Sequence, residues 1–236
     1  KNLLDLDNIT ITGRTLGENI AGHVVHNGDI IRPVDNPLDP EGGLAVLYGN
    51  IAPTGAIIKP TAASLELMVH KGKAIVFEDH EDLGKRIDDP NLEVSPDDIL
   101  VMKNSGPVGG PGMPEWGFLP IPKKILATGV RDMVRLSDAR MSGTAFGTVV
   151  VHVTPESAGG GPLSAIRDGD MIEIDVPNRK LNLMITADEL EERLSTHKND
   201  APEFKRGYKW LHAQHILQAD KGCDFDFLRA ESLQNG

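Results

Sequence analysis

The sequence predicts a mixed α/β fold whose strands gather into a β-barrel or sandwich-like sheet. Three observations carry that prediction. Short apolar runs recur along the chain, several of them alternating with polar residues. The 236 residues include 25 glycines and 16 prolines, which punctuate those runs with turns. The few helical stretches are interspersed without regular strand-helix-strand alternation, which disfavours a doubly wound parallel sheet.

Taken in order, the residues from Asp7 to Thr12 alternate like a strand, and those from Gly13 to Glu18 read as a turn entering a short helix. Pro33, Pro37 and Pro40, with Gly42 and Gly43, make an irregular connection. Residues 45–48 and 56–59 read as strands on either side of a turn-rich loop. Residues 73–78 form a buried strand and 81–87 a short helix. A second buried strand, residues 98–103, runs straight into the loop from Gly106 to Gly117. Pro122 to Thr128 reads as a helix, with proline near its start and Gly129 just past its end. Residues 149–153 are an apolar strand. Residues 170–176 and 180–185 alternate about Pro177, Asn178 and Arg179, as in a β-hairpin with one buried face. Thr186 and Glu189 have the spacing of a capping box that opens a helix through Ser195. A polar link over 197–203, a helix over 205–219 and an extended tail over 223–228 complete the chain. The expected organisation is a barrel-like domain over 1–196, with a C-terminal helix and tail over 197–236 packing on it.

Composition excludes several classes of function. The formal charge is −11, from 35 acids against 24 bases, and no stretch gathers Lys or Arg into a basic face, so nucleic acid is not an expected partner. No apolar run approaches the ~20 residues of a membrane helix. The single cysteine, Cys223, rules out an internal disulfide and points to a reducing, cytoplasmic setting. One thiol also cannot hold an iron–sulfur cluster. The N-terminus lacks both an initiator Met and the pattern of a signal peptide, and reads as a chain beginning in mid-sequence.

Two loops carry candidate chemistry. Glu115 follows Pro114 in a Gly/Pro-rich loop, where it is either a solvated acid or an oxygen ligand for Mg²⁺. Ser142 lies between Met141 and Gly143, either as a turn or N-cap serine or as a base or nucleophile that needs activation. Arg140 and Thr144 occupy the places where a hydrolase elbow has glycines, which disfavours a serine hydrolase. Thr144 either donates to a substrate oxygen or satisfies backbone in the turn. Asp138 and Arg140 are read as a structural pair. The histidine pairs His23/His26 and His212/His215 have no zinc-type spacing, and Gly159 to Gly161 lacks the lysine of a P-loop. Cys223 is read as a packing residue.

Together, Pro111-Gly-Met-Pro-Glu115, Ser137-Asp-Ala-Arg-Met-Ser-Gly-Thr144, His152-Val-Thr-Pro-Glu-Ser-Ala-Gly-Gly-Gly-Pro162 and Asp168-Gly-Asp-Met-Ile-Glu-Ile-Asp175 resemble the carboxyl-terminal region of the dihydroxy-acid and sugar-acid dehydratases. Gly49-Asn-Ile-Ala-Pro53 and Gly55-Ala-Ile-Ile-Lys59 match as well. The ending from Tyr208 to Leu228 is similar to the tail of the aldonate (arabinonate or xylonate) branch. The resemblance implies a swivelling β-barrel flanked by helices. It implies dehydration of a 2,3-dihydroxy acid to a 2-keto-3-deoxy acid, with Ser142 as base, Thr144 near the substrate and Glu115 on Mg²⁺. It also implies a [2Fe–2S] cluster whose ligands, like the remaining magnesium ligands, belong to an amino-terminal domain absent from this sequence. The chain alone is therefore expected to be inactive, and the full-length enzyme to be a homo-oligomer. The alternatives are a dihydroxy-acid dehydratase of branched-chain amino-acid synthesis and a non-catalytic binding domain on the same scaffold.

Overall fold

The computed structural model describes residues 3–142, 146–197 and 204–228. The chain divides into two compact units, Lys1–Gly42 and Gly43–Gly236. In the first, Thr15 opens the short helix α1 (Leu16–Ile20) with a complete capping box. The Thr15 hydroxyl accepts from Glu18 N at 3.1 Å, and the Glu18 carboxylate accepts from Thr15 N at 2.8 Å. The strand expected over 7–12 is reduced to one bridge between Ile9 and Thr15. Ile9 and Ile11 are both exposed, so the alternation there has no face to bury.

Among the described residues, the second unit is built on eight strands: β1 (Ala45–Leu47), β2 (Gly55–Ile58), β3 (Val69–Phe77), β4 (Ile99–Met102), β5 (Arg135–Ser137), β6 (Val149–Thr154), β7 (Met171–Asp175) and β8 (Lys180–Leu183). Their order in the sheet is β1-β2-β6-β5-β4-β3-β7-β8. The two edges meet. Tyr48 N donates to Arg179 O at 2.9 Å and Leu181 N to Tyr48 O at 2.8 Å, so the sheet curls into a nearly closed barrel. The strands β3, β4, β5 and β6 are mutually parallel, while β1, β2, β7 and β8 join antiparallel on the flanks. The parallel centre was hidden in the sequence because β5 did not read as a strand: it is three residues long and carries Arg135 and Ser137.

Period-two alternation sorts the side chains into two cores. Inward residues from all eight strands, among them Leu47, Ile58, Val76, Val101, Leu136, Val150, Ile174 and Leu181, form one cluster. The opposite face of β3 and β4 supplies Phe77, Leu100 and Met102 to a second cluster. That cluster is covered by Leu83 and Ile87, from α2 (His80–Arg86) and its end, and by Ile125 of α3 (Lys123–Ala127). In the expected β7–β8 hairpin, Ile172 and Ile174 face Leu183 and Leu181 on the buried side. Helix α4 (Ala187–Thr196) begins at Thr186, whose hydroxyl accepts from Glu189 N. The capping box is only half made, however, because Glu189 turns to Arg193 at 2.6 Å. The last helix, α5 (Gly207–His215), is shorter than expected. The tail contains a bridge from Ile216 to Phe225 and a 3₁₀ turn over Asp226–Leu228 in place of a fully extended run.

Arg135 is 1% exposed in the middle of this sheet. Such a charge needs a partner and a full set of acceptors. Asp132 lies 2.9 Å from its Nη2, which also donates to Phe146 O, while Leu119 O accepts from Nη1. Phe118 lies under the guanidinium at 4.9 Å. Burial by itself would raise the Asp132 pKa. Hydrogen bonds from Thr148 and Ser64 and the charge of Arg135 more than offset it, and the net shift is downward from 3.8. The stabilisation from this carboxylate is therefore held above pH 3.8 and lost as the pH falls through the lowered value. Replacing Asp132 with alanine should cost about 3–5 kcal/mol in urea unfolding at neutral pH, because it strands a buried guanidinium.

Candidate functional site

The carboxyl ends of β3, β4, β5 and β6 lie along one edge of the barrel, since the four strands are parallel and in register. Loops delivered at such an edge are the usual place for a site in parallel sheets. Here β4 delivers the glycine-rich loop with Glu115, β5 the loop with Ser142, and β6 the turn with Glu156 and Ser157.

Two buried carboxylates hold these loops together. Asp138, fully buried just after β5, accepts from Ser105 N at 2.9 Å, Ser157 N at 2.9 Å and Ser157 Oγ at 2.5 Å. Asn104 N in turn donates to Ser157 Oγ at 2.6 Å. Glu156, also fully buried, accepts from Val108 N at 2.9 Å, Gly109 N at 3.0 Å and Gln218 Nε2 at 2.6 Å. Gly106 packs so tightly on this carboxylate that a Cβ would lie 2.6 Å from Glu156 Oε2. Burial raises the pKa of both acids, and the charge of Asp138 adds to the effect on Glu156. Asp138 therefore does not pair with Arg140, as the sequence suggested; its partners are the two serines.

Arg140 instead joins the two candidate loops. Its carbonyl accepts from Gly117 N at 2.7 Å. Residue 117 must be glycine for that approach, because a Cβ would meet the Arg140 carbonyl at 2.6 Å. Its side chain donates from Nε to Met113 O and brings Nη2 to 3.6 Å from Glu115 Oε1. Glu115 is thus a half-exposed carboxylate, 51% accessible, beside an exposed guanidinium. Ser142 follows Arg140 by two residues and is partly buried on the neighbouring loop. Thr144 lies outside the described residues. Trp116, next to Glu115, stacks on His80 with ring centroids 4.6 Å apart, and a cavity of about 500 Å³ opens there between Glu78, Asn104 and Gly109.

The donor set sets limits on what could bind. Among the described residues, no three His, Cys, Asp or Glu side chains gather as a metal site. Glu115 alone fits Mg²⁺ as one oxygen ligand of several. Cys223 does not fit an iron–sulfur cluster: it is a single thiol, and burial, then Glu156 and Asp220, push it away from the thiolate form.

Sequence reasoning missed Asp138, Glu156, His212 and Gln218 as organisers of the site. Acidic side chains default to the surface. The one available signal was their position beside serine or glycine at the ends of apolar strands.

Residues 29–223 match the family model described as "Dihydroxy-acid/6-phosphogluconate dehydratase C-terminal". The chain belongs to that family. It is 50% identical over 227 residues to an L-arabinonate dehydratase of Rhizobium leguminosarum, a match covering 96% of this chain and 39% of that protein. It is 49% identical to a 6-deoxy-6-sulfo-D-gluconate dehydratase of Pseudomonas putida, over 93% of this chain and 38% of the relative. A dihydroxy-acid dehydratase of Acetivibrio thermocellus is 42% identical, over 94% and 40% respectively. The chain thus spans about two fifths of the length of these relatives.

The raised pKa values of Asp138 and Glu156 have a definite sign. A carboxyl that is more basic folded than unfolded binds its proton preferentially in the folded state, so its contribution to stability falls as pH rises from the ordinary value, 3.8 for Asp138, through the raised one. Urea unfolding across that window should show stability declining by at most about 1.4 kcal/mol per pH unit for each group. Asp138→Asn should flatten part of that slope.

Proposed function

We propose that this chain is the carboxyl-terminal part of a sugar-acid dehydratase that converts an aldonate-type 2,3-dihydroxy acid to a 2-keto-3-deoxy acid. The observation that carries the reading is the Arg140 junction, which sets the Glu115 loop against the Ser142 loop at one edge of the barrel, in a chain of this family. Relatives named for aldonates share about half of its residues, against 42% for one named for dihydroxy acids. That difference favours a sugar acid over the smaller substrate of amino-acid synthesis.

On this reading Ser142, as its alkoxide, takes the proton at C2 and becomes a hydroxyl, and the electrons left behind expel the 3-hydroxyl as hydroxide, which a Lewis acid of the amino-terminal domain would accept; the enol formed tautomerises to the 2-keto acid. A serine can act as base only where positive charge lowers its pKa. Arg140, in the same loop, brings one such charge to this edge. Glu115 is a ligand for magnesium, which when bound stabilises the charge developing on the substrate carboxylate and 2-hydroxyl. Thr144 hydrogen-bonds a substrate oxygen. The remaining magnesium ligands and the iron–sulfur centre belong to a separate amino-terminal domain, so the isolated chain is inactive.

The test joins this chain to the amino-terminal portion of an aldonate dehydratase and follows 2-keto acid formation from L-arabinonate. Ser142→Ala should lower kcat by about 10³-fold while leaving magnesium dependence unchanged. Glu115→Gln should raise the magnesium needed for half-activity by about 10–100-fold. Turnover by the chain alone, or full activity in Ser142→Ala, would reject the assignment. A folded chain that captures neither magnesium nor aldonate even with the partner would support a non-catalytic binding domain.

A further inference from the structure

The segment after α5 closes on itself through hydrogen bonds and reaches back to the glycine loop. Leu217 N donates to Asp224 O at 2.9 Å, Cys223 N to Gln218 O at 3.2 Å, and Phe225 packs edge-on against His212. This closed turn presents Gln218 to Glu156 in two directions. The amide Nε2 donates to Glu156 Oε1 at 2.6 Å, and the amide Oε1 accepts from Glu156 N at 2.8 Å. From α5, buried His212 places Nε2 at 3.1 Å from Pro107 O and 3.2 Å from Gly112 N, so by its tautomer it either donates to the first or accepts from the second, on the same loop.

We propose that Gln218 is a positioning residue for the loop that presents Glu115, acting through Glu156, with His212 as a second brace. The physical case rests on what Glu156 needs. Its described partners are all donors: two backbone amides from the loop and the Gln218 amide. Donors around a buried carboxyl favour its ionised form. Burial opposes that form, so each donor counts. Removing the Gln218 amide leaves an oxygen of a buried anion under-solvated. The carboxylate then relaxes by protonation or rotation, and either loosens its grip on Val108 N and Gly109 N. From there the loop runs to Met113, whose carbonyl receives Arg140, and on to Glu115. The orientation of the proposed magnesium ligand is thereby set from a residue over a hundred positions further along the chain. This role deepens the proposed dehydratase function and rests on it only in the purpose assigned to the loop; the clamp itself is a property of this chain.

Amide hydrogen exchange on the intact chain tests it. Gln218→Ala should speed exchange at Val108 and Gly109 by about tenfold or more, with smaller increases at Met113 and Gly117. Exchange in β3 and β4 should stay within about twofold of wild type. Gln218→Glu supplies a reading that simple loss of packing would not move. It sets a second carboxyl against Glu156, and the pair must share one proton. Loop protection, corrected for intrinsic exchange rates, should then be near normal in mild acid and lost toward neutral pH, whereas Gln218→Ala lacks it at every pH. Unchanged exchange at Val108 and Gly109 in Gln218→Ala would overturn the proposal, as would acceleration spread evenly over the barrel or a Gln218→Glu profile without pH dependence. These readings require no turnover, so failure of the dehydratase assignment and failure of the clamp are told apart.

Discussion

Two carboxyl groups buried behind a glycine loop are the constraint on which this edge of the barrel depends. Asp138 and Glu156 are both excluded from water; Asp138 is solvated by backbone amides and a serine hydroxyl, Glu156 by backbone amides and the Gln218 amide. A charge in such a place is costly unless every oxygen finds donors. The loops that supply those donors therefore cannot move independently of the acids. The segment from Asn104 to Gly109 is ordered by what the carboxylates require, and the glycine at 106 is the space the Glu156 carboxylate occupies. Burial without full compensation raises both pKa values.

The barrel topology explains why the acids can do this. Four parallel strands end along one rim, so loops far apart in sequence emerge side by side. The antiparallel flanks close the sheet and leave that rim as the place where irregular backbone collects. Arg135 locks the opposite end of the Ser142 loop. It bonds Phe146 O and, through Asp132, the backbone at Thr148, while Arg140 holds the beginning of the loop against Gly117. Both arginines precede the serine in sequence, and between them they hold described backbone on either side of it, at Arg140 and at Phe146.

Much of this was legible in the sequence, and the omissions share a cause. Strands β3, β4, β6 and the β7–β8 hairpin announced themselves by apolar period, and α3 by its proline and glycine. Strand β5 did not, because its arginine and serine are buried by partners that only the fold supplies. The opposite error occurred at Ile9 and Ile11, where alternation was present but no sheet lay beneath it. At the site, Glu115 and Ser142 stood out because glycine and proline framed them. Gln218 and His212 carried no local mark at all, since their partners lie roughly 60 and 100 positions away. Local pattern records what a residue does with its neighbours in sequence, and a clamp across the fold leaves no trace there.

On the proposed reading, the same electrostatics bear on why the chain by itself would be inert. An alkoxide at Ser142 would add negative charge to a rim already lined by the carboxyls of Asp138, Glu156 and Glu115. Like charges in a partly desolvated site raise one another's pKa, the direction in which Asp138 acts on Glu156. Arg140 offsets part of this, but its guanidinium is already engaged by Met113 and Glu115 and is exposed to solvent, where its field is weak. On the proposed reading, the serine becomes a base only when cations arrive from elsewhere to outweigh the anions this chain contributes. Assembly with the amino-terminal domain and activation of the base would then be one event, and the serine would stay protonated, and harmless, until the substrate cavity is complete.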